Sequence, residues 1–77
     1  MTVSRADKFV DGRNLEPPEP FVQTMEALDQ LAPGETLLLL VRREPFPLYR
    51  ALELNGYSWQ TAHAASGDVE VSIRRKA

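Results

Sequence analysis

Apolar and polar positions along this chain change their period twice, and each change marks a boundary between elements. From Phe21 onward the apolar residues Phe21, Val22, Met25, Leu28 and Leu31 recur at i, i+1, i+4, i+7 and i+10. That spacing lays them on one face of a 3.6-residue helix. Pro17, Pro18 and Pro20 stand just ahead, where the N–H groups of a first helical turn have no intrahelical partner in any case. Glu16 and Glu19 put negative charge at the positive end of that helix dipole. Pro33-Gly34 predicts its stop. Leu37 to Val41 is then an unbroken apolar run. Five such residues would also fit a buried helix segment, but the shortness of the run and the flanking Pro33-Gly34 favour a central strand.

Glu44-Pro45-Phe46-Pro47 opens a second helix by the same logic, with Leu48, Tyr49, Ala51 and Leu52 as its buried side and Gly56 as a left-handed stop. Beyond Gly56 the period falls to two. Tyr57, Trp59 and Thr61 alternate with Ser58 and Gln60, and Val69, Val71 and Ile73 alternate with Glu70, Ser72 and Arg74. Ser66-Gly67-Asp68 between them reads as a hairpin loop. At the other end, Phe9-Val10 predicts a short first strand ended by the turn signal Asp11-Gly12. Residues 1–8 are polar and are expected to be a mobile segment ahead of a single domain over 9–77.

The element order is β-α-β-α-β-β. Right-handed crossovers would place both helices on one face of a mainly parallel sheet, and the final hairpin adds an antiparallel strand. The predicted fold is an α/β two-layer sandwich, a four-stranded mixed sheet with two helices on one face. The other face is left open. Part of Leu37–Val41 should form a small leucine patch there, diluted by Ser58, Gln60, Glu70 and Ser72. A dimer would form on that patch; a monomer is the expected form.

Composition narrows the chemistry. Seventy-seven residues leave no room for a second core and imply a thin stability margin. The chain has no cysteine, which excludes disulfides, persulfides and thiolate metal sites. His63 is the one histidine, so neither a metal site nor a cofactor is expected, and it reads as a surface residue. A formal charge of −2 gives no steering toward nucleic acid or an anionic membrane. The basic cluster Arg74, Arg75 and Lys76 reads as a solvated chain end. No apolar run approaches the length of a membrane span, and residues 1–11 carry no apolar h-region, so the expected location is the cytoplasm.

Two longer motifs carry a resemblance. Asp11-Gly12-Arg13-Asn14-Leu15-Glu16-Pro17-Pro18-Glu19-Pro20 resembles the Asp-x-x-x-Leu-x-Cys-Pro-x-Pro motif of the TusA/SirA-like sulfur carriers. Pro33-Gly34-Glu35-Thr36-Leu37 resembles their Pro-Gly-Glu-x-Leu step into strand two, and Gly56-Tyr57 and Ile73-Arg74-Arg75 fit as well. The likeness runs from about residue 7 to the end and implies the sulfur-carrier fold. It breaks at one position: Pro17 aligns with the cysteine that bears the sulfur. A persulfide carrier needs a thiolate, and proline has no nucleophile. The sequence therefore looks like a cysteine-less branch of unknown function, marked by its Leu-Glu-Pro-Pro-Glu-Pro box. That resemblance implies a redox or respiratory setting, because such domains occur beside hemerythrin-like ones.

Both strand-to-helix loops of a β-α-β unit emerge at the same sheet edge, the usual ligand edge. Glu16, Pro17, Pro18 and Glu19 from the first loop should therefore meet Arg42, Arg43, Glu44 and Phe46 from the second. The plain reading is a rigid helix cap beside exposed ion pairs worth about 0–1 kcal/mol each. The functional one is a mixed-charge docking rim with Phe46 as its anchor, contacting an unidentified protein partner. Three prolines remove donors from the first helix start, which disfavours an anion site there. Trp59 is assigned to packing with Tyr57 rather than to ligand stacking. Catalysis by Glu16 and Glu19 is set aside, since exposed carboxylates are not tuned apart. The expectation is a non-catalytic protein-interaction module, not a persulfide carrier; the alternative is a small-ligand or cofactor-binding domain using the same rim or the open sheet face.

Overall fold

The computed structural model describes residues 6–76, so the expectations for residues 1–5 and 77 lie outside the described residues. The elements are β1 (Lys8–Asp11), α1 (Glu19–Asp29), β2 (Thr36–Val41), α2 (Phe46–Leu54), β3 (Tyr57–His63) and β4 (Val69–Arg75). The strands form one sheet in the order β1-β2-β4-β3. Val10, Leu39 and Val71 stand side by side across it, as do Leu37 and Ile73. These residues point to the face covered by both helices, where Leu28, Leu31, Leu48 and Leu52 complete the core. The slab measures 34 × 31 × 17 Å, thin enough for two layers only.

The sheet is less parallel than the element order predicts. Only β1 and β2 pair in parallel, while β4 lies antiparallel between β2 and β3. The reason is apolar content. Val69, Val71 and Ile73 of β4 are buried, whereas Gln60, Ala62 and His63 of β3 are exposed, so β4 takes the inner place and β3 the edge. The second crossover therefore steps over β4.

Helix α1 also departs from its pattern. Phe21 and Val22 are exposed, and the fully buried residues are Thr24 and Leu28. The hydroxyl of Thr24 donates to the Pro20 carbonyl at 2.7 Å, which meets its need within the helix. Phe21 sits in the first turn of α1, where it lines a groove with Leu39 and Val41 of β2 instead of closing over them. The helix stops at Asp29, four residues before Pro33-Gly34; Gly34, at φ +87°, serves the turn into β2 instead. Gly56 follows the C-cap Asn55 of α2 at φ +83°, the left-handed stop expected there.

On the open face Leu38 and Leu40 are half-buried, and Phe9, paired beside Leu38, is 57% exposed. Ser72 and Gln60 continue that row as polar neighbours. Arg75 is not a free tail: its guanidinium donates to the Leu31 carbonyl at 3.1 Å and lies 5.9 Å from the Tyr57 ring centroid. Lys8 already belongs to β1, and the Asp7 amide donates to Thr36 at 2.8 Å, so sheet pairing begins ahead of residue 9.

Candidate functional site

The two strand-to-helix loops do come together, and between them lies a groove of about 490 Å³. Its floor is Leu39 and Val41 from the end of β2 with Leu48 from α2. One wall is Leu15, Pro17, Pro18, Pro20 and Phe21; the other carries Pro45 and Pro47. Five prolines line a single groove, and each fixes its own φ and lacks an N–H. Arg13, Arg42, Arg43 and Glu44 stand at its mouth.

Gly12 makes the close approach of the loops possible. Its amide donates to the Leu40 carbonyl at 2.7 Å, extending the β1–β2 ladder. A Cβ at this position would lie 3.2 Å from both Pro20 Cβ and Val41 Cγ1. The first loop is then pinned from three sides. Arg13 binds Asp11 at 2.9 Å and reaches Asp68 of the hairpin loop at 3.2 Å. The Arg42 guanidinium donates to the Asn14 side-chain oxygen at 3.2 Å. Leu15 donates its amide to Gly12 at 3.3 Å.

Electrostatics at the mouth follow from these partners. The Arg13 side chain and then its backbone N–H hold the Asp11 carboxyl down to about 2, and Asp11 in turn raises the guanidinium of Arg13. Tyr49 donates to Glu44 at 3.2 Å and lies 2.6 Å from the Thr61 hydroxyl. Burial pushes the Tyr49 phenol up, and the Glu44 charge acts in the same direction, against the Thr61 bond. Tyr49 also stacks on Trp59 at 5.2 Å and 8°, with Phe46 edge-on to it at 5.8 Å. Trp59 is thus used in packing.

The residues singled out in the sequence divide. Pro17, Pro18, Arg42, Arg43 and Glu44 line the groove. Glu16, Glu19 and Phe46 lie outside its lining, and Phe46 is 66% exposed. Among the described residues no ion pair joins the two loops' predicted charges; the pairs formed are those of Arg13. Sequence reasoning missed Arg13, Leu15 and Phe21 as site residues. Leu15 was readable, as an isolated leucine in a proline-rich loop with no helical partner.

The groove offers little to an anion at its base. In the first turn of α1, Glu19 donates to Glu16 at 2.9 Å, Val22 to Pro18 at 3.0 Å, and Pro20 has nothing to donate. At α2, Phe46 donates to Glu44 at 3.0 Å and Leu48 to Pro45 at 2.9 Å, with Pro47 between them. The prolines and these bonds thus reduce the free N–H groups that a helix start would otherwise offer an anion. Among the described residues no group of three or more His, Cys, Asp or Glu could hold a metal, and no helix is long and apolar enough to cross a membrane.

The family described as Uncharacterized conserved protein (DUF2249) matches residues 10–75, nearly the whole chain. The chain belongs to this family. No curated protein matches it. Among solved structures, the SirA-like protein from Desulfitobacterium hafniense is similar over 90% of this chain and 97% of that one, at 24% identity and a TM-score of 0.79. The DUF2249 chain thus has the SirA/TusA-like fold, and its loop groove sits where the Leu-Glu-Pro-Pro-Glu-Pro box meets the second loop. Pro17 lies in the wall of that groove.

Proposed function

We propose that this DUF2249 chain is a non-catalytic protein-interaction module that keeps a sulfur-carrier-like scaffold without carrying persulfide, and that the proline-walled groove is its contact surface. The observation that carries the reading is the groove itself: carbon-lined, framed by five prolines and bordered by the exposed Phe21. Rigid walls lose little conformational entropy on binding. With no cysteine anywhere in the chain, there is no thiolate to bear sulfur. Glu16 and Glu19 are exposed and outside the groove, a setting that does not tune two carboxylates apart.

The test is affinity capture from the native lysate with three baits. Wild type and Gln60→Asp, a change on the open sheet face, should retain the same protein. Leu15→Asp, which puts a carboxylate into the groove wall, should lose it. A partner retained equally by all three, with each bait shown to be folded, places the contact elsewhere.

A second reading has its own support. The groove volume of about 490 Å³ falls within the roughly 300–1,000 Å³ typical of small-ligand sites. A ligand that stays with the wild type in native mass spectra, and is absent from Leu15→Asp, would favour it.

A further inference from the structure

The charges around the groove are unevenly spoken for. Arg13 is engaged by two carboxylates, Asp11 and Asp68. Glu44 accepts from Tyr49. Among the described residues Arg42 donates to the neutral Asn14 side chain and lies near enough to Asp11 for its charge to be felt there, but neither it nor the exposed Arg43 forms an ion pair. Two guanidiniums outside any ion pair therefore border an apolar groove. An occupant with an apolar group below and carboxylates above would meet both the lining and the two arginines.

The apolar surface also runs past the groove. Phe46, 66% exposed, stands at the start of α2 outside the lining, and Val22 follows Phe21 on the α1 side. A small molecule held within the groove would leave Phe46 uncovered. A chain that continues on both sides of its anchoring side chain would cover it. We infer that the groove receives an extended acidic peptide segment, which inserts one large apolar side chain between the proline walls and sets neighbouring carboxylates against Arg42 and Arg43. The inference rests on the groove being a protein-contact surface and adds the chemistry of the partner. Direct donors play no part at the base, where the prolines have removed them; carbon packing supplies the anchor, and the two arginines supply the sign.

The experiment titrates the isotope-labelled chain with capped five-residue peptides and follows backbone amide shifts. One peptide carries a central phenylalanine flanked by aspartates, a second the same phenylalanine flanked by lysines, and a third a central alanine flanked by aspartates. The first should move the amides of Gly12, Leu15, Arg43 and Leu48, with an affinity on the order of millimolar because a short flexible chain loses freedom on binding. The second and third should each bind at least about tenfold more weakly, since one lacks charge complementarity and the other the buried anchor. In Arg42→Glu/Arg43→Glu, whose own spectrum reports folding, the lysine peptide should become the better ligand. Raising the salt to about 0.15 M, where screening acts over roughly 8 Å, should weaken the first peptide's binding.

Equal binding of the aspartate and lysine peptides overturns the claim about charge, and equal binding of the alanine peptide overturns the anchor. No shift in the groove with any peptide at millimolar concentration overturns the inference as a whole. Affinity capture is read separately: loss of a partner in Leu15→Asp alone would keep the groove as a contact surface even when the peptides fail.

Discussion

Two leucines of β2 offer a way to weigh the groove with a stability measurement. Leu37 and Leu39 lie on the same strand and the same face, 0% and 1% exposed. Only Leu39 borders the groove. Truncating either to alanine removes apolar carbon worth about 0.8 kcal/mol per methylene, so roughly 2.4 kcal/mol in each case. A sealed void adds about 24 cal/mol for every Å³ that the surroundings cannot refill, which is why buried leucine-to-alanine costs reach about 5 kcal/mol. At Leu37 that full addition applies, giving about 4 kcal/mol. At Leu39 the truncation is expected to open the void into the adjoining groove, so the addition is small and the cost stays at about 2.5–3 kcal/mol. The whole chain has on the order of 4–12 kcal/mol to lose, at about 0.05–0.15 kcal/mol per residue. Urea unfolding of both variants, with a stabilising osmolyte if needed, reads the difference, since about 1 kcal/mol moves the midpoint by several tenths of a molar unit or more. A Leu39→Ala cost equal to or above that of Leu37→Ala would mean that the floor beneath the proline walls is sealed, and the open groove would be refuted.

Three further outcomes follow from local geometry. Tyr49 should ionise above the ordinary 10.0 because burial opposes its charge, and ultraviolet titration of Tyr57→Phe isolates it. With the folded-state value raised, the linked stability is complete below pH 10 and declines as pH climbs above it; a midpoint below 10.0 contradicts the burial. The Asp11 carboxyl, held to about 2, should return toward 3.8 in Arg13→Ala when followed by NMR, and its contribution to stability is present above the unfolded value and lost as pH falls toward 2. Gly56→Ala should cost about 1–2 kcal/mol from backbone strain at φ +83°, with space for the methyl not at issue, and Gly56→Asn should recover part of that in thermal melts.

How much of this was legible in the sequence differs by element. The strand and helix order was readable because the change of period at Gly56 and the prolines before each helix act over a few residues. The place of β4 was not. A hairpin signal puts β3 and β4 side by side but does not say which of them is inner, and that choice rests on Val71 and Ile73 outcompeting Gln60 and His63 for the covered position. Phe21 and Val22 failed as core residues for a related reason. Helical spacing assigns a face, but only the packing of neighbouring elements decides how far that face is covered, and the first turn of α1 borders a groove. For the site, topology brought the two loops together as expected. The groove was hidden because proline in a helix start reads first as a cap; that Pro17, Pro18, Pro20, Pro45 and Pro47 share one cavity is a fact of three dimensions. The local chemistry of Arg13 was likewise out of reach, since its partner Asp68 lies 55 residues away.

The most direct test of the groove as a protein-contact surface is site-specific photo-crosslinking in the native cell. A photoreactive phenylalanine analogue replaces Phe21 at the groove wall in one variant and Gln60 on the open sheet face in another. A single defined adduct from position 21, absent from position 60 and lost when Leu15→Asp is added, is the predicted result. Adducts from position 60 with none from position 21 would contradict it, and would move the working surface of this DUF2249 chain to the uncovered side of its sheet.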